Sequence, residues 1–259
     1  SSDLAAVRRF DYDLLVEDTM PPCSTTWTPW FARRSRPLIA SVQWWMAERY
    51  TEQLKLPFHW GQTHGIRWYR HFIVLTEQMR RTIQGRHREA DCEVIPNGVP
   101  EDLFDVPVVG AGPPRTDLLY IGRIEVHAKG LDLLVDALAR IPADRRPRLR
   151  VAGRGTVDEE AHFGALLDRA GLRPWVECLG HVDALQRARL LTDCRLLLMP
   201  SRIETFGMTI AEANAAARLA LVFDQWPMNE VAAPMSPRVR AFDAAAYAAA
   251  IEHWYALPD

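Results

Sequence analysis

The amino-acid sequence predicts an α/β fold with parallel sheets. Short apolar strand signals alternate with helical periodicity along the chain, which is typical of such folds. The chain has 259 residues, 48% of them hydrophobic and 25% charged, enough for two modest domains with hydrophobic cores. A cluster of proline and glycine from Pro107 to Pro114 has no helical period and predicts a linker between these domains.

The part before the linker predicts four strands with helical stretches between them. The strands are expected at Asp13 to Val16, Leu38 to Val42, Phe72 to Leu75 and Glu93 to Ile95. The segment from residue 17 to 30 holds prolines and hydroxyl side chains, which predict a polar loop at the carboxyl end of the first strand. Glu17 and Asp18 in this loop either bind ligand hydroxyls or cap the next helix.

The part after the linker repeats strand and helix more regularly. Its strands are expected at Leu118 to Ile121, Arg148 to Ala152, Trp175 to Leu179, Leu196 to Met199 and Leu219 to Phe223. Its helices are expected at Leu131 to Arg140, Glu159 to Ala170, Ala184 to Leu191, Thr209 to Ala217 and Ala244 to Tyr255. The first of these helices has apolar residues at helical spacing, and Asp243 is placed to cap the last one.

The run SRIETFGMTIAEA, residues 201 to 213, places two carboxylates on either side of a turn that opens a helix. Glu204 lies in the strand-to-helix loop, and Glu212 lies one turn into the helix. The backbone N–H groups that begin this helix belong to Phe206, Gly207, Met208 and Thr209. Such groups lack helical partners and, with the helix dipole, favour an anion such as a phosphate. Taken alone, the two glutamates are better explained as solvated acids at a helix start.

A second anion feature lies upstream in YIGRIEVHAKG, residues 120 to 130. Arg123 and Lys129 project from one loop between a strand and a helix. Open α/β sheets bind ligands at this carboxyl edge, and two cations there can hold a diphosphate without a metal. Taken by itself, each of these exposed bases is more often an ordinary surface residue.

Together these motifs resemble the donor lobe of the family four retaining glycosyltransferases. That family has the GT-B architecture, in which two Rossmann-like lobes face each other. The matching segments, in the family's order and spacing, are VIPNGV, YIGRI, AKG, LRVAGRG, LGHV, LMPSRIETFGMTIAEA, LVF and a turn with Glu230. The resemblance implies a partial N-terminal acceptor-side lobe at residues 1–106, a linker at 107–114 and a C-terminal donor-binding lobe at 115–259.

The resemblance also implies a role for each matching residue. Glu204 would contact the transferred sugar, Arg123 and Lys129 would hold the diphosphate, and Glu212 would bind the ribose. The implied substrate-binding positions are Gly153, His181, Val182, Phe206, Gly207, Met208, Thr209 and Glu212. The expected donor is a nucleoside diphosphate sugar, in the first place a UDP-sugar, with no cofactor and no metal because the fixed cations take the role of a metal.

Two of these positions have other interpretations from the residues themselves. Gly153 follows a strand in AGRGTV, but the run lacks the third glycine of a dinucleotide-binding fingerprint, so a nicotinamide or flavin site is not favoured. The missing side chain of Gly153 would let a nucleotide approach closely. His181 in LGHVD fits a contact to the base and a solvent-facing loop residue about equally.

The first part of the chain departs from the family. Four strands are too few for a full Rossmann-like lobe, and we expect the beginning of that lobe to be missing from this sequence. No glycine-rich turn follows an opening strand in the first ninety residues. Gln43 stands where family members often place a histidine, and a glutamine cannot carry a proton near neutral pH.

Composition excludes several classes of protein. The net charge is -2 with interspersed signs, which argues against a nucleic-acid partner. The four cysteines are dispersed without a C-x-x-C pair, so neither a zinc site nor a disulfide framework is predicted. No apolar run is long enough for a transmembrane segment. We expect a cytoplasmic protein, with peripheral contact at the inner membrane face left open. The high Ala and Arg content indicates a bacterial source with a GC-rich genome.

The function predicted from the sequence is sugar transfer from a nucleoside diphosphate sugar to an acceptor hydroxyl, with retention of anomeric configuration. The acceptor class stays open among saccharides, glycolipids and secondary metabolites. The main alternative is a non-catalytic module that binds nucleotide sugars, which the incomplete first lobe favours. A sugar-nucleotide epimerase is a third option, but it would need acid and base groups from both lobes.

Overall fold

The computed structural model describes residues 11–19, 28, 36–43, 45, 55, 63–105 and 117–257. The chain divides into two compact units, Ser1–Asn97 and Gly98–Asp259. The linker expected at 107–114 lies outside the described residues. The predicted donor-site residues, from Arg123 to Glu212, all belong to the second unit.

Four parallel strands form one sheet among the described residues of the first unit, in the order β1-β2-β3-β4. They are β1 (Leu15–Asp18), β2 (Leu38–Val42), β3 (His71–Val74) and β4 (Asp91–Val94). A short 3-10 helix, Ile66–Trp68, precedes β3, and helix α1 (Glu77–Arg86) joins β3 to β4. The four predicted strands are confirmed, with β1 starting two residues later than expected.

The connection from β3 to β4 shows how the sequence specifies this unit. The Thr76 hydroxyl caps α1 by accepting a hydrogen bond from the Met79 N–H at 3.2 Å. Met79 and Ile83, four residues apart on one helix face, are buried, and α1 packs against β3 and β4. The apolar face of α1 therefore fixes the helix on the sheet.

Six parallel strands form the sheet in the described part of the second unit, in the order β10-β9-β8-β5-β6-β7. The strands are β5 (Leu118–Ile121), β6 (Leu149–Ala152), β7 (Val176–Gly180), β8 (Leu196–Met199), β9 (Ala220–Phe223) and β10 (Arg238–Val239). The helices are α2 (Asp102–Asp105), α3 (Leu131–Arg140), α4 (Val157–Arg169), α5 (Ala184–Asp193), α6 (Met208–Ala215), α7 (Met228–Val231) and α8 (Ala244–Ala256). The five strands and five helices expected here are confirmed, whereas β10, α2 and α7 are too short to leave a periodic pattern.

The centre of this sheet is the core of the second unit. Every residue of β5, β8 and β9 is buried, as expected for parallel strands covered on both faces. Helix α3 packs against α4 and α8, and α6 packs against α5 and α7. None of the described helices is long and apolar enough to cross a membrane. The predicted α/β class with parallel sheets is confirmed.

The strand order reverses at β5 and β8. Leu118 of β5 is paired on one side with Leu149 of β6 and on the other with Leu196 of β8. The chain therefore leaves β5 and β8 toward different halves of the sheet, and a crevice opens between the loops that follow them. Ligands of open α/β sheets bind at such a switch point, and both predicted motifs lie in these two loops.

Candidate active site

The loop after β5 is held in place by its own backbone and by Tyr120. The N–H groups of Gly122 and Ile124 donate to the carbonyls of Ala152 and Arg154 at 3.0 and 2.9 Å, which extends the β5-β6 pairing. The Tyr120 hydroxyl donates to the Arg123 carbonyl at 2.7 Å. Burial raises the pKa of Tyr120, so this hydroxyl stays protonated as a donor.

The same loop touches the loop after β8. Gly130 begins α3 with φ +64°, and a Cβ on it would lie 1.9 Å from the carbonyl oxygen of Pro200. The N–H groups of Arg202 and Ile203 both donate to the carbonyl of Ala128, at 3.0 and 3.1 Å. Only a glycine fits at position 130, because a side chain would be both strained and in collision with the other loop.

A bidentate ion pair fastens the two loops together. The Arg202 guanidinium donates to both carboxylate oxygens of Asp132 at 2.6 and 2.7 Å. Burial opposes the charge on Asp132, but the hydrogen bonds and charge of Arg202 outweigh it and lower the pKa of this carboxyl. A fork-to-fork pair of this kind fixes direction as well as distance. The crevice at the switch point therefore has two rigid walls.

Lys129 and Glu204 meet across this crevice. The Lys129 Nζ lies 2.6 Å from Oε1 of Glu204, and the two side chains are only 16% and 10% exposed. The Ser201 hydroxyl donates to the same carboxylate oxygen at 3.0 Å. Among the described residues, Oε2 of Glu204 has no hydrogen-bond partner. The pair thus brings together one cation and one partly free carboxylate in a shielded position.

The N-terminus of α6 supplies further donors beside them. Gly207 starts the helix with φ +95°, and none of the described side chains caps it. The N–H groups of Gly207, Met208 and Thr209 find no acceptor in the part of the chain that the structure describes. These donors, together with the helix dipole, make an anion-binding position.

Lys129, Glu204 and these helix-start residues line one cavity of about 170 Å³, here termed the switch-point cavity. Its lining residues are Tyr120, Ile121, Gly122, Arg123, Lys129, Met199, Glu204, Thr205, Gly207, Met208 and Thr209. Six of the predicted site residues are therefore brought together. Arg123 is at the mouth, because its side chain is 73% exposed and lies 2.8 Å from Glu125.

Glu212 lies outside this cavity but on the same side of α6. It follows Met208 and Thr209 by four and three residues, which places it one turn along the same helix face. Its carboxylate, only 6% exposed, is paired with Arg187 of α5. Burial raises the pKa of Glu212, and the nearby Arg187 opposes this rise.

The remaining predicted residues are not part of the switch-point cavity. Phe206 is 4% exposed, so only its backbone is placed to meet a ligand. Gly153 lines a separate cavity of about 460 Å³, and His181 and Val182 line another of about 310 Å³. A Cβ on Gly153 would lie 1.8 Å from the carbonyl oxygen of Gly122, so the fold itself requires glycine there.

Three polar residues of the first unit were also singled out: Glu17, Asp18 and Gln43. Glu17 and Asp18 belong to the end of β1, not to a loop after it. Gln43 follows β2, and its amide donates to the Ser41 hydroxyl at 3.1 Å. Glu17 accepts hydrogen bonds from Thr28, at 2.7 Å, and from Tyr69. Both oxygens of Glu17 are therefore engaged within the unit, and burial raises its pKa. Most of the predicted polar loop from residue 17 to 30 lies outside the described residues.

Sequence reasoning missed three residues that shape the site. Ser201 stands at the start of the quoted motif, so its position next to Glu204 was the one available signal. The Tyr120 hydroxyl donates a hydrogen bond to the carbonyl of Arg123, three residues further along the chain, and no sequence pattern indicates this contact. Arg187 lies 25 residues before its partner Glu212, and no sequence pattern links them.

The described residues contain no group of three or more His, Cys, Asp or Glu side chains placed to hold a metal ion. The charges that face the switch-point cavity are instead those of Arg123, Lys129 and Glu204. This arrangement can bind a polyanion next to a carboxylate. It is suited to a ligand with a diphosphate and adjacent hydroxyl groups.

Two family models match the chain. The model of the glycosyl transferases group 1 matches residues 115–256, and that of glycosyltransferase family 4 matches residues 2–103. The first match covers the whole switch-point cavity. The second covers most of the first unit.

Curated relatives are similar over about half of the chain. The phosphatidyl-myo-inositol mannosyltransferase of Mycobacterium tuberculosis is 31% identical over 157 residues, which are 58% of this chain and 40% of that protein. The glycogen synthase of Mycobacterium tuberculosis is 34% identical over 137 residues, 49% of this chain and 30% of that protein. The matched part thus spans less than half the length of these relatives.

Solved structures share the fold of almost the entire chain. Sucrose-phosphate synthase from Thermosynechococcus elongatus has a TM-score of 0.75 and 19% identity, covering 97% of this chain and 68% of that one. Anabaena Alr3699/HepE in complex with UDP has a TM-score of 0.77 and 19% identity, covering 97% and 71%. These neighbours are GT-B glycosyltransferases, so the predicted GT-B fold class is confirmed.

Proposed function

Because the chain belongs to the glycosyl transferases group 1, we propose that it moves a sugar from a nucleoside diphosphate sugar to an acceptor hydroxyl, with retention of anomeric configuration and without a metal. The observation that carries the proposal is the switch-point cavity, where Lys129, Arg123 and the free N–H groups of α6 surround one space next to Glu204. A leaving diphosphate and a reacting sugar need this combination of donors and carboxylate.

The cations and helix amides would act on the leaving group. When the bond between the sugar and the diphosphate breaks, negative charge builds up on the phosphate oxygens. Lys129, which is 16% exposed, and the amides of Gly207 to Thr209 are already fixed around that position. Preorganised donors of this kind contribute about 3 to 4 kcal/mol each in other enzymes.

Glu204 would face the sugar. Its Oε1 is occupied by Lys129 and Ser201, which leaves Oε2 to accept a sugar hydroxyl or to lie beside the positive charge of the transition state. A carboxylate whose charge is shared with a lysine at 2.6 Å is a poor nucleophile. We therefore assign Glu204 to orienting the sugar rather than to forming a covalent intermediate.

The reaction would then be a displacement on one face of the sugar. The bond from the anomeric carbon to the phosphate oxygen breaks as the bond to the acceptor oxygen forms on the same side. The acceptor proton passes to the departing phosphate, so no separate base is required. Retention of configuration follows, in agreement with the family resemblance.

The structure of Anabaena Alr3699/HepE is a complex with UDP, and this supports a UDP-sugar as the donor. One mycobacterial relative is named for a lipid, phosphatidyl-myo-inositol, and the other for a polysaccharide, glycogen. Glycolipids and saccharides therefore stay among the proposed acceptors, together with secondary metabolites. A cytoplasmic location, with peripheral contact at the inner membrane face, is part of the same proposal.

The test is turnover of a donor panel by the purified chain. UDP-glucose, UDP-galactose, UDP-N-acetylglucosamine and GDP-mannose are incubated with simple glycoside acceptors in EDTA, and products are followed by NMR. We expect release of the nucleoside diphosphate. We also expect the initially formed glycosylated acceptor to have the same anomeric configuration as the donor. A product of inverted configuration, or turnover only with added divalent metal, would contradict the mechanism. Donor binding without release, in wild type and Glu204→Gln alike, would identify a non-catalytic binding module instead.

A further inference from the structure

The ion pair between Arg187 and Glu212 joins two helices at the edge of the proposed donor site. Arg187 projects from α5 and its Nη2 contacts Oε2 of Glu212 on α6. Glu212 is 6% exposed at its side chain, whereas Arg187 is 35% exposed. The carboxylate of Glu212 is thus shielded from solvent, whereas the guanidinium of Arg187 approaches it from the more exposed side.

Glu212 is the charged partner of Arg187 within the described residues. The Nε donor of the same guanidinium is buried and finds no acceptor there. No second carboxylate in that part of the chain competes for Arg187, so the position of this side chain depends on Glu212. Conversely, Arg187 is the charged group that acts on the Glu212 carboxylate, while Glu230 on the adjacent α7 lies exposed.

The pair leaves half of the carboxylate available. Oε2 is taken by Arg187, but Oε1 of Glu212 has no hydrogen-bond partner among the described residues. This oxygen lies one helical turn beyond Met208 and Thr209, which line the switch-point cavity. A ligand whose phosphates occupy that cavity would place its next group, a sugar ring with adjacent hydroxyls, near Oε1.

We propose that Arg187 is a positioning residue for Glu212: it holds one carboxylate oxygen so that the other accepts the ribose hydroxyls of the donor. The proposal rests on the proposed function and on the family resemblance, which implies that Glu212 binds the ribose of the donor. An ionised carboxylate is purely an acceptor, whereas its protonated form gives up acceptor capacity. Burial favours the protonated form of Glu212, and Arg187 counteracts this by its charge. Arg187 would therefore fix both the direction and the ionisation of the ribose acceptor.

The sign of the pH effect follows directly. Without Arg187, the pKa of Glu212 rises further, so the carboxyl becomes protonated at a higher pH than in wild type. Affinity for a nucleoside should then fall at low pH in the variant and much less in wild type. The nucleoside is the right probe, because the diphosphate itself titrates in this range, with a second phosphate pKa of about 6.

The experiment measures binding of uridine, guanosine and adenosine, and of their diphosphates, between pH 5 and 8. The variants are Arg187→Met, Arg187→Lys, Glu212→Gln and the double variant Arg187→Met/Glu212→Gln. Arg140→Met is the matched control, since it removes an exposed ion pair with Asp136 on α3, and neither of these residues lines the switch-point cavity. Calorimetry or NMR titration gives the affinities.

We expect Arg187→Met to weaken the preferred nucleoside and its diphosphate by the same factor, about tenfold at pH 8 and more at pH 5. Arg187→Lys should restore most of the loss and flatten the pH dependence. The double variant should bind no more weakly than Glu212→Gln, because Arg187 acts through that carboxylate. If Arg187→Met does not fold, the double variant can still be compared with Glu212→Gln, because it leaves no unpaired charge. That comparison still tests whether Arg187 acts through Glu212.

The proposal would be overturned if the losses of nucleoside affinity caused by the two single substitutions added up in the double variant. It would also be overturned if Arg187→Met lowered the affinity by the same factor at every pH. Either result would mean that the ion pair is only a structural contact. Unchanged binding in Arg187→Met would also overturn the proposal while leaving the proposed function intact. If wild type binds none of the three nucleoside diphosphates, the proposed function and this inference both fail.

Discussion

The Lys129 ammonium lies 2.6 Å from the Glu204 carboxylate and joins the loop after β5 to the loop after β8. The two residues were expected to contact different parts of the donor, the diphosphate and the sugar. Their contact means that each sets the charge seen by the other. A diphosphate that enters the switch-point cavity must share Lys129 with Glu204, and the predictions below depend on this sharing.

Lys129→Ala should weaken binding of a nucleoside diphosphate more than Arg123→Ala does. The Lys129 side chain is 16% exposed, whereas that of Arg123 is 73% exposed and already paired with Glu125. Loss of a charge-assisted contact costs about 1.5 to 3 kcal/mol, and the Glu204 carboxylate left without Lys129 would add repulsion. Calorimetry with UDP and uridine on each variant measures the difference.

The matched control for both variants is Arg140→Ala, which breaks an exposed pair on α3. UDP and uridine should bind this control like wild type. Adding Glu204→Gln to Lys129→Ala should restore part of the UDP affinity, because the repelling charge is gone. Equal losses of UDP and uridine in Lys129→Ala would show that Lys129 does not contact the diphosphate.

Glu204→Gln should separate binding from transfer. The substitution keeps the shape of the side chain and frees Lys129 for the diphosphate, so UDP should bind at least as tightly as to wild type. Sugar transfer should fall by about 100-fold or more, because the carboxylate acts where positive charge develops in the transition state. Steady-state kinetics and a UDP titration on the same preparation decide this.

Glu212→Gln is the comparison for that experiment. It should weaken uridine and UDP alike, because both carry the ribose. If Glu204→Gln abolished UDP binding but left turnover of bound donor unchanged, the two glutamates would have been assigned to the wrong ends of the donor.

Gly130→Ala should destabilise the protein much more than Gly171→Ala. Both glycines have φ +64°, so both variants suffer the left-handed strain of about 1 kcal/mol. Around Gly171 nothing lies within 4 Å of the added Cβ, whereas at Gly130 it would meet the Pro200 carbonyl oxygen at 1.9 Å. The excess loss therefore measures the contact between the two loops.

Urea unfolding gives the free energies, and UDP titration of the folded Gly130→Ala protein shows whether the crevice has opened. We expect the variant to lose UDP affinity as well as stability, since Lys129 is the neighbour of Gly130 in the chain. Similar unfolding free energies for the two variants would mean that the loops are not in tight contact.

The sequence predicted the regular elements of the second unit well because they repeat a strong pattern. Strands β5 and β8 and helix α3 have the bounds expected from apolar runs and helical spacing. β10, with two residues, carries too little sequence for a periodic signal. In the first unit, the sequence suggested that Glu17 contacts a ligand. Its carboxylate instead accepts hydrogen bonds from Thr28 and Tyr69. The sequence could not reveal this, since Tyr69 lies 52 residues away.

The sequence predicted which loops form the site but not which residues form ion pairs within it. The motifs placed Arg123, Lys129 and Glu204 at strand ends, and the parallel sheet brings those ends together. The pairing of Lys129 with Glu204 spans 75 residues, and that of Arg187 with Glu212 spans 25. Such partners depend on strand order and helix packing, which no local pattern encodes.

The most direct test of the account is a titration of the wild-type chain with UDP, GDP and ADP, and with the three nucleosides, in EDTA. The account predicts that one diphosphate binds about 100-fold or more tightly than its nucleoside, since Lys129, Arg123 and the α6 amides each add a charge-assisted contact. It also predicts that EDTA leaves this difference unchanged. Equal affinities for diphosphate and nucleoside, or a diphosphate advantage that appears only with added divalent metal, would contradict the central claim that this cavity holds a diphosphate by its own fixed charges.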